Sequence, residues 1–299
     1  MRSGDSRERR RARDRVYQAN KRGGYKIGPR NTGHDRQRHN ARVIVPIRDG
    51  CVFVVSDQHF DPGVPPSAAY LASVKLAREL EPWCIINNGD TIDGASISRW
   101  PVGSFTELGS RPSVEEELGV SSKRLIEYER MKFAQFLIWN LGNHDARFET
   151  RLAEKVPEYA GVNGFRLKDH FPGWLPAWRT DFVRPDNSVE LIVKHRFKGG
   201  MYAANNNALW AGTSIITGHL HDLYIKAITD VRGVRWGASA GTLAECNARL
   251  ATHYTEDNPV NWQSGFLVVT FAGGLLSGIE PVYALPDGRV LFRGMDIAA

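Results

Sequence analysis

Five short clusters in this chain of 299 residues carry the side-chain types that hold metals and move protons. They are Asp57-Gln58-His59, Gly89-Asp90-Thr91-Ile92-Asp93, Gly142-Asn143-His144-Asp145, His195, and Gly218-His219-Leu220-His221. Five of the nine histidines lie in them; His34, His39, His170 and His253 have no comparable company. Each cluster alone is weak, because a D-x-H recurs by chance and a lone His is more often a core or surface residue than a ligand. Together they offer imidazole mixed with carboxylate, which suits Mn²⁺, Fe, Zn²⁺ or Ni²⁺ rather than a hard calcium cage. The ligands suffice for two ions if one carboxylate bridges. Two ions ~3.5–4 Å apart clamp the attacking and leaving oxygens in phosphoryl chemistry.

The elements that must position these clusters can be read around them. Each cluster follows a short apolar, β-branched run of the kind that forms a buried strand: 51–55, 83–87, 136–141, 189–193 and 213–217. A helix is predicted over about 68–80 with Ser67 as its cap, so the first two strands form a parallel pair with a right-handed crossover. A second helix is predicted over about 113–131, its acidic first turn (Glu115, Glu116, Glu117) matched to the helix dipole, and a third over 201–210. Later strands are expected at 224–229, 234–238, 266–271, 282–285 and 289–292, the last two joined by a Pro286-Asp287-Gly288 turn. Residues 147–184 mix helical spacing with Pro- and Trp-rich turns and yield no order. Such α/β chains gather polar chemistry at the carboxyl ends of their strands.

With 42% hydrophobic, 24% charged and 10% aromatic residues, the chain has the composition of a soluble globular protein, and its eight tryptophans read as core and rim packing. The net charge of +6 is uneven. Residues 1–42 hold 12 Arg and 2 Lys against 4 acidic side chains, a balance of +10, while the rest carries −4. This segment reads as a flexible basic arm, followed by one domain over 43–299. Two roles are open for it: a solvated tail or packing arm, or phosphate-backbone attraction to nucleic acid. Cys51, Cys84 and Cys246 are too few and too scattered for a disulfide framework or a CxxC metal site. No apolar h-region follows the basic start, and the apolar run 265–279 is broken by Thr270, Gly273, Gly274 and Ser277, so a cytoplasmic protein without a membrane span is expected.

The ordered set D-x-H, G-D-x-x-D, G-N-H-D, H and G-H-x-H, spanning about residues 51–222, resembles the calcineurin-like metallophosphoesterase superfamily, with a weaker likeness to its phage members. The resemblance implies an α/β fold, a four-layer α/β/β/α sandwich with two mixed sheets. It also implies two divalent ions, Mn²⁺ foremost, with Fe, Zn²⁺, Ni²⁺ or Mg²⁺ as alternatives. Carried over by position, Asp57, His59, Asp90 and His221 hold one ion. Asp90 bridges to the second, completed by Asn143, His195 and His219. His144 faces the scissile phosphate and protonates the leaving oxygen, Asp145 orients that ring and favours its charged form, and Asp93 stands behind the ligands. A metal-bridging hydroxide attacks in line, with no phosphoenzyme. One departure is that the family often has Gly directly after the fourth-motif His, whereas this chain reads Lys194-His195-Arg196. Arg196 and Lys198 either meet substrate phosphate or are solvated.

Three functions fit this reading: a phosphodiesterase or nuclease; a phosphatase or phosphodiesterase for a small metabolite; and a non-catalytic metal-binding assembly protein. A dinucleotide-binding dehydrogenase is disfavoured, because no G-x-G-x-x-G follows the first strand. Residues 94–112, 147–184 and 245–264 are expected to wall the pocket. Trp100, Tyr202, His253 and Tyr254 are candidates there, with core packing as the ordinary alternative for each.

Overall fold

The computed structural model describes residues 42–99, 111–245 and 260–297. All of the basic segment but Arg42 lies outside them, as do Trp100, Cys246, His253 and Tyr254. Two mixed sheets face each other. The larger runs β14 (Met295–Asp296), β13 (Val290–Phe292), β12 (Leu275–Ala284), β11 (Gly265–Ala272), β2 (Gly50–Val55), β3 (Cys84–Asn87), β4 (Phe136–Asn140), β5 (Leu175–Ala177). Its half from β2 to β5 is parallel and the remainder antiparallel. The smaller runs β1 (Val43–Pro46), β6 (Thr180–Val183), β7 (Val189–Lys194), β8 (Ser214–Thr217), β10 (Gly233–Ala240), β9 (Leu223–Asp230), with β7, β8 and β10 parallel neighbours.

Side-chain alternation along the strands makes the layers. On β2, Val52 and Val54 join Ile86, Phe136, Ile138, Phe182, Val193 and Ile216 in a core between the sheets. Phe53 and Val55 point the other way, into a core under α1 (Ala68–Leu80) and α2 (Val114–Glu129). Both faces are covered, which is why this strand reads as an unbroken apolar run rather than an alternating one. On the outer face of the second sheet, α5 (Ala203–Ala211) sets Ala208 against Ile192 and Ile215. The order is helices, sheet, sheet, helix, the four-layer sandwich expected.

The helix starts were legible from their caps. The Ser67 hydroxyl accepts from Tyr70 N at 3.1 Å, and Ser113 with Glu116 forms a reciprocal capping box. Residues 147–184 resolve into α3 (Asp145–Lys155), a one-turn α4 (Leu167–His170), β5 and β6. Strand β12 begins seven residues earlier than the 282–285 expected. Gly273 and Gly274, which break the apolar run, are its hairpin turn, with φ of 60° and 75°. Among the described residues no helix is long and apolar enough to cross a membrane.

Candidate metal centre

Strands β2, β3 and β4 of one sheet and β7 and β8 of the other all end at one edge of the sandwich, and each cluster sits in the first residues beyond its strand. A buried amide network holds the two sheets together there. Asn140 Nδ2 donates to Asn88 Oδ1 at 3.1 Å and to Val193 O at 3.0 Å, while Asn140 Oδ1 accepts from Thr180 Oγ1 at 2.8 Å. Across the same seam His219 N donates to Asp57 Oδ2 at 2.9 Å, and His195 Nδ1 lies 2.8 Å from Asn88 O. These bonds bring residues 162 and 107 positions apart into one site. Asn88 and Asn140 were not singled out in the sequence, where an Asn at a strand end looks like any loop residue.

Three groups of donor atoms come close together; one joins His59, Asp93 and His144, and the other two are made of expected ligands. Asp57, His59 and His221 offer atoms all within 4.8 Å of one another, and so do Asp90, His195 and His219. Asp90 lies between the groups: its Oδ2 is 3.1 Å from His195 Nε2 and 3.9 Å from His59 Nε2. His221 Nε2 is 3.2 Å from Asp57 Oδ1. The Asn143 carboxamide oxygen is buried with no hydrogen-bond partner, as are Nε2 of His59, Nδ1 of His219 and Nδ1 of His221. Buried polar atoms left without partners cost about 1–3 kcal/mol each. So many in one place fit cations, which would bond the lone pairs. The structure thus gathers the six His and Asp residues the sequence marked as ligands.

The backbone is bent to reach this arrangement. Asp57, His59, Asp90, His219 and His221 have φ between 40° and 74°, and they make up five of the eight non-glycine residues with positive φ among those described. Each such conformation costs about 1–3 kcal/mol and persists where the surroundings over-determine it. Gly142 and Gly218 answer a different need, close approach. A Cβ on Gly142 would collide with the backbone and carboxylate of Asp90, and one on Gly218 with Ser56 Oγ and Asp57 Oδ2.

Charge at the site is lopsided. Burial alone would raise Asp57 and Asp90, but neighbouring histidines, His195 foremost, hold both below the usual carboxylate range. Burial also opposes a charged His195, yet Asp90 and Asp57 push it up to about 9. Burial holds His59 below its ordinary value and takes His219 down to about 4, so both rings stay neutral, the form that ligates. Two buried carboxylates drawing a proton onto a buried imidazole is the electrostatic mark of a place built for positive charge.

The role expected of Asp145 needs correction, while Asp93 stands behind the ligands as expected. Asp145 does not touch the His144 ring. Its carboxylate accepts from the backbone N–H of Asp90, Thr91 and Gly142, each at 2.9 Å, from Trp139 Nε1 at 3.0 Å, and from Ile92 N at 3.4 Å. It pins the second ligand loop to the third. The ring is held instead by Asp93, whose Oδ1 lies 2.9 Å and whose carbonyl 2.8 Å from His144 Nδ1. Asp93 Oδ1 is also 3.3 Å from His59 Nδ1. Burial disfavours charge on His144, but Asp93 and Asp90 outweigh it and its pKa is raised. Asp145 itself is pushed up to about 6 by burial and the charge of Asp90, against the pull of its N–H donors.

Two supporting residues escaped the sequence reading. Arg147, one turn along α3, donates to Asp93 O at 2.8 Å and brings its other nitrogen 3.2 Å from His144 Nε2. Glu117 leaves the acidic first turn of α2 to lie buried, accepting from Gly94 N at 2.8 Å just after Asp93; burial and Asp93 raise it to about 7. The i, i+3 spacing of His144 and Arg147 could have signalled the first. Nothing local signals the second. Arg196 is exposed at the rim, near enough for its charge to act on His219. Tyr202, a candidate for the pocket wall with core packing as its alternative, is 69% exposed. Trp262 packs on the His221 ring with centroids 4.5 Å apart.

No family model matches the chain. It is 29% identical over 216 residues to the Gene 54 protein of Mycobacterium phage D29, covering 68% of this chain and 82% of that one. To the Gene 54 protein of Mycobacterium phage L5 it is 29% identical over 209 residues, covering 65% and 79%. Among solved structures, Vps29 of Entamoeba histolytica in complex with zinc is similar over 83% of this chain and 99% of that one, at 14% identity and a TM-score of 0.42. The nuclease MPE of Pseudomonas putida is similar over 77% and 86%, at 14% identity and a TM-score of 0.32. The order of the motifs, the four layers and the convergence of the candidate ligands at one sheet edge agree with the resemblance drawn from the sequence.

Proposed function

We propose that the chain is a two-metal phosphoester hydrolase that cleaves phosphodiesters of nucleic acid. The observation that carries the hydrolase reading is the pair of donor groups with Asp90 standing between them, and His144 beside them anchored from behind by Asp93. Asp57, His59, His221 and Asp90 would hold one ion, and Asp90, Asn143, His195 and His219 the other. Bound there, the ions supply positive charge to the phosphoryl oxygens and an acidified water that serves as nucleophile near neutral pH.

The remaining work falls to the chain's own groups. Asp93 holds Nδ1 of His144, while Nε2 accepts from Arg147 in this structure; Nε2 would serve as the proton donor once the Arg147 guanidinium turns from it to a substrate phosphate. Hydrolysis breaks the bond from phosphorus to the leaving oxygen, and that oxygen takes the proton from Nε2. Arg147, 3.2 Å from the same nitrogen, places a fixed positive charge where a phosphate oxygen would otherwise be unpaired. No side chain need act as nucleophile, so no phosphoenzyme is expected. The +10 balance of residues 1–42 and the exposed Arg196 support a polyanionic substrate.

The test is an assay of purified protein with added Mn²⁺ on a phosphomonoester, a phosphodiester, and single- and double-stranded DNA and RNA. His144→Ala and Asp90→Ala should both fail on the true substrate; full rate in either would refute that residue's role. Removal of residues 1–42 should cost activity on nucleic acid. Unchanged turnover on every substrate would favour the small-metabolite reading, and no turnover by a metal-loaded chain would favour the assembly protein.

A further inference from the structure

The segment from Arg196 to Trp210 leaves the metal centre and crosses the surface carrying side chains that a folded domain ordinarily hides. Met201 is 88% exposed, Tyr202 and Trp210 69% each, Leu209 48% and Phe197 39%. Helix α5 explains their direction: Ala203, Ala204, Asn207 and Ala208 are buried against the second sheet, so Tyr202, Asn206 and Trp210, at i, i+4 and i+8, share the outer face. They span about 12 Å along the helix axis. Cations are interleaved with the aromatics. Lys198 Nζ sits 3.6 Å from the centroid of the Trp210 ring, and Lys194 Nζ 5.1 Å from that of Phe197. Among the described residues neither Arg196 nor Lys198 has a carboxylate in ion-pair reach.

This surface is built and continuous with the site. The buried carboxamide of Asn207 holds the Lys198 peptide from both sides, accepting from its N–H at 3.1 Å and donating to its carbonyl at 3.2 Å. The loop is thereby fixed to α5 rather than left to drift. It starts at the residue after His195, and Gly199 lies over Leu220, between His219 and His221.

From this juxtaposition we infer that the face formed by Arg196, Phe197, Lys198, Tyr202 and Trp210 binds the single-stranded flank of a polynucleotide, with bases stacked on the aromatic rings and phosphates met by Arg196 and Lys198. Every base has a π-face, so such stacking accepts any sequence, while a duplex keeps its bases out of reach. A second protein chain would cover the apolar rings but leave Arg196 and Lys198 needing acidic partners; a single strand supplies both contacts at once. The inference deepens the nucleic-acid reading above and rests on it for the position of the scissile phosphate, not for the binding itself.

The experiment is fluorescence anisotropy of a labelled short oligothymidylate with hydrolysis-resistant phosphorothioate linkages, titrated with the Mn²⁺-loaded full chain over a salt series. Trp210→Ala should weaken binding roughly 5- to 150-fold, from ~1–3 kcal/mol per stacked base, and Trp210→Phe should recover most of it. Lys198→Gln should lower the slope of log affinity against log salt by about 1. Unchanged affinity in Trp210→Ala, equal competition by duplex of the same sequence, or a dimer in sedimentation that Trp210→Ala dissociates without touching oligonucleotide affinity would overturn the inference. A chain that binds the oligonucleotide through Trp210 but hydrolyses no phosphoester would retain this surface and lose the hydrolase reading.

Discussion

Replacing Asp145 by Asn separates two roles that the G-N-H-D motif alone cannot tell apart. The Asp145 carboxylate presents Oδ2 to three donors, Asp90 N, Gly142 N and Trp139 Nε1, and Oδ1 to Thr91 N, with Ile92 N further off. An amide keeps one oxygen and turns an NH₂ toward the other set. Even in the better flip it faces Thr91 N and Ile92 N with donors and leaves two buried N–H groups without acceptors. At about 1–3 kcal/mol per unsatisfied group the cost is roughly 2–6 kcal/mol. For a domain of this size that lowers the melting temperature by roughly 5–20 °C. The same bonds hold the Asp90 loop against the Asn143 loop, so metal affinity should fall about 10- to 100-fold, as for other groups that brace ligands. The assays are a thermal melt in excess Mn²⁺, a competitive chelator titration, and the pH dependence of kcat/KM. A variant that melts and binds metal like the parent but moves the alkaline limb of the pH profile would mean that Asp145 acts on His144 after all, and that the geometry described here is wrong.

The counterpart is Asp93→Asn. His144 is held above its ordinary pKa by Asp93 and Asp90 against burial, so its acidic form is lost as pH rises through that raised value. Losing the Asp93 charge should move the alkaline limb of kcat/KM to lower pH, with metal affinity less affected; a limb that stays in place would reject Asp93 as the group behind the ring. His144→Ala removes the proton donor outright and should cost about 10²–10⁴-fold in kcat. Gly218→Ala drives a Cβ into Ser56 Oγ and Asp57 Oδ2, so an overpacking penalty of about 1–3 kcal/mol should appear in the melt, together with weaker metal binding. Chelation leaves Asp57 and Asp90 facing each other without cations, and Mn²⁺ at about 100 times its Kd should restore about 2.7 kcal/mol, read as a rise in melting temperature. A chain whose melt ignores both chelator and Mn²⁺ would have no site of this kind.

What could be read in advance, and what could not, follows from where the information sits. The ligands were legible because each lies within a few residues of a strand whose apolar run announces it, and because ligation fixes residue type. His59, His195 and His221 are not replaceable by residues of similar size. The layers were legible for a related reason: a strand buried on both faces, such as 52–55, has nowhere to carry a charge. Supporting groups are another matter. The partners of Asp145 are mostly backbone N–H groups 53 to 55 residues away, and any residue type has a backbone N–H, so no side-chain pattern records them. Asp93 and Asp145 are both Asp at the end of a motif; only the fold decides which of them reaches the imidazole. Tyr202 and Trp210 fail the reading in the opposite way. Apolar residues at helical spacing normally mark a core face, but in α5 the core face is the alanine stripe at 203, 204 and 208, small enough for the helix to lie close on the sheet, and the large rings are turned outward. A helix that buries its alanines and exposes its Trp gains little of its own stability from that Trp. The physical reason to place it there is therefore sought in what the surface meets, beside a centre whose gathered side chains fit cations.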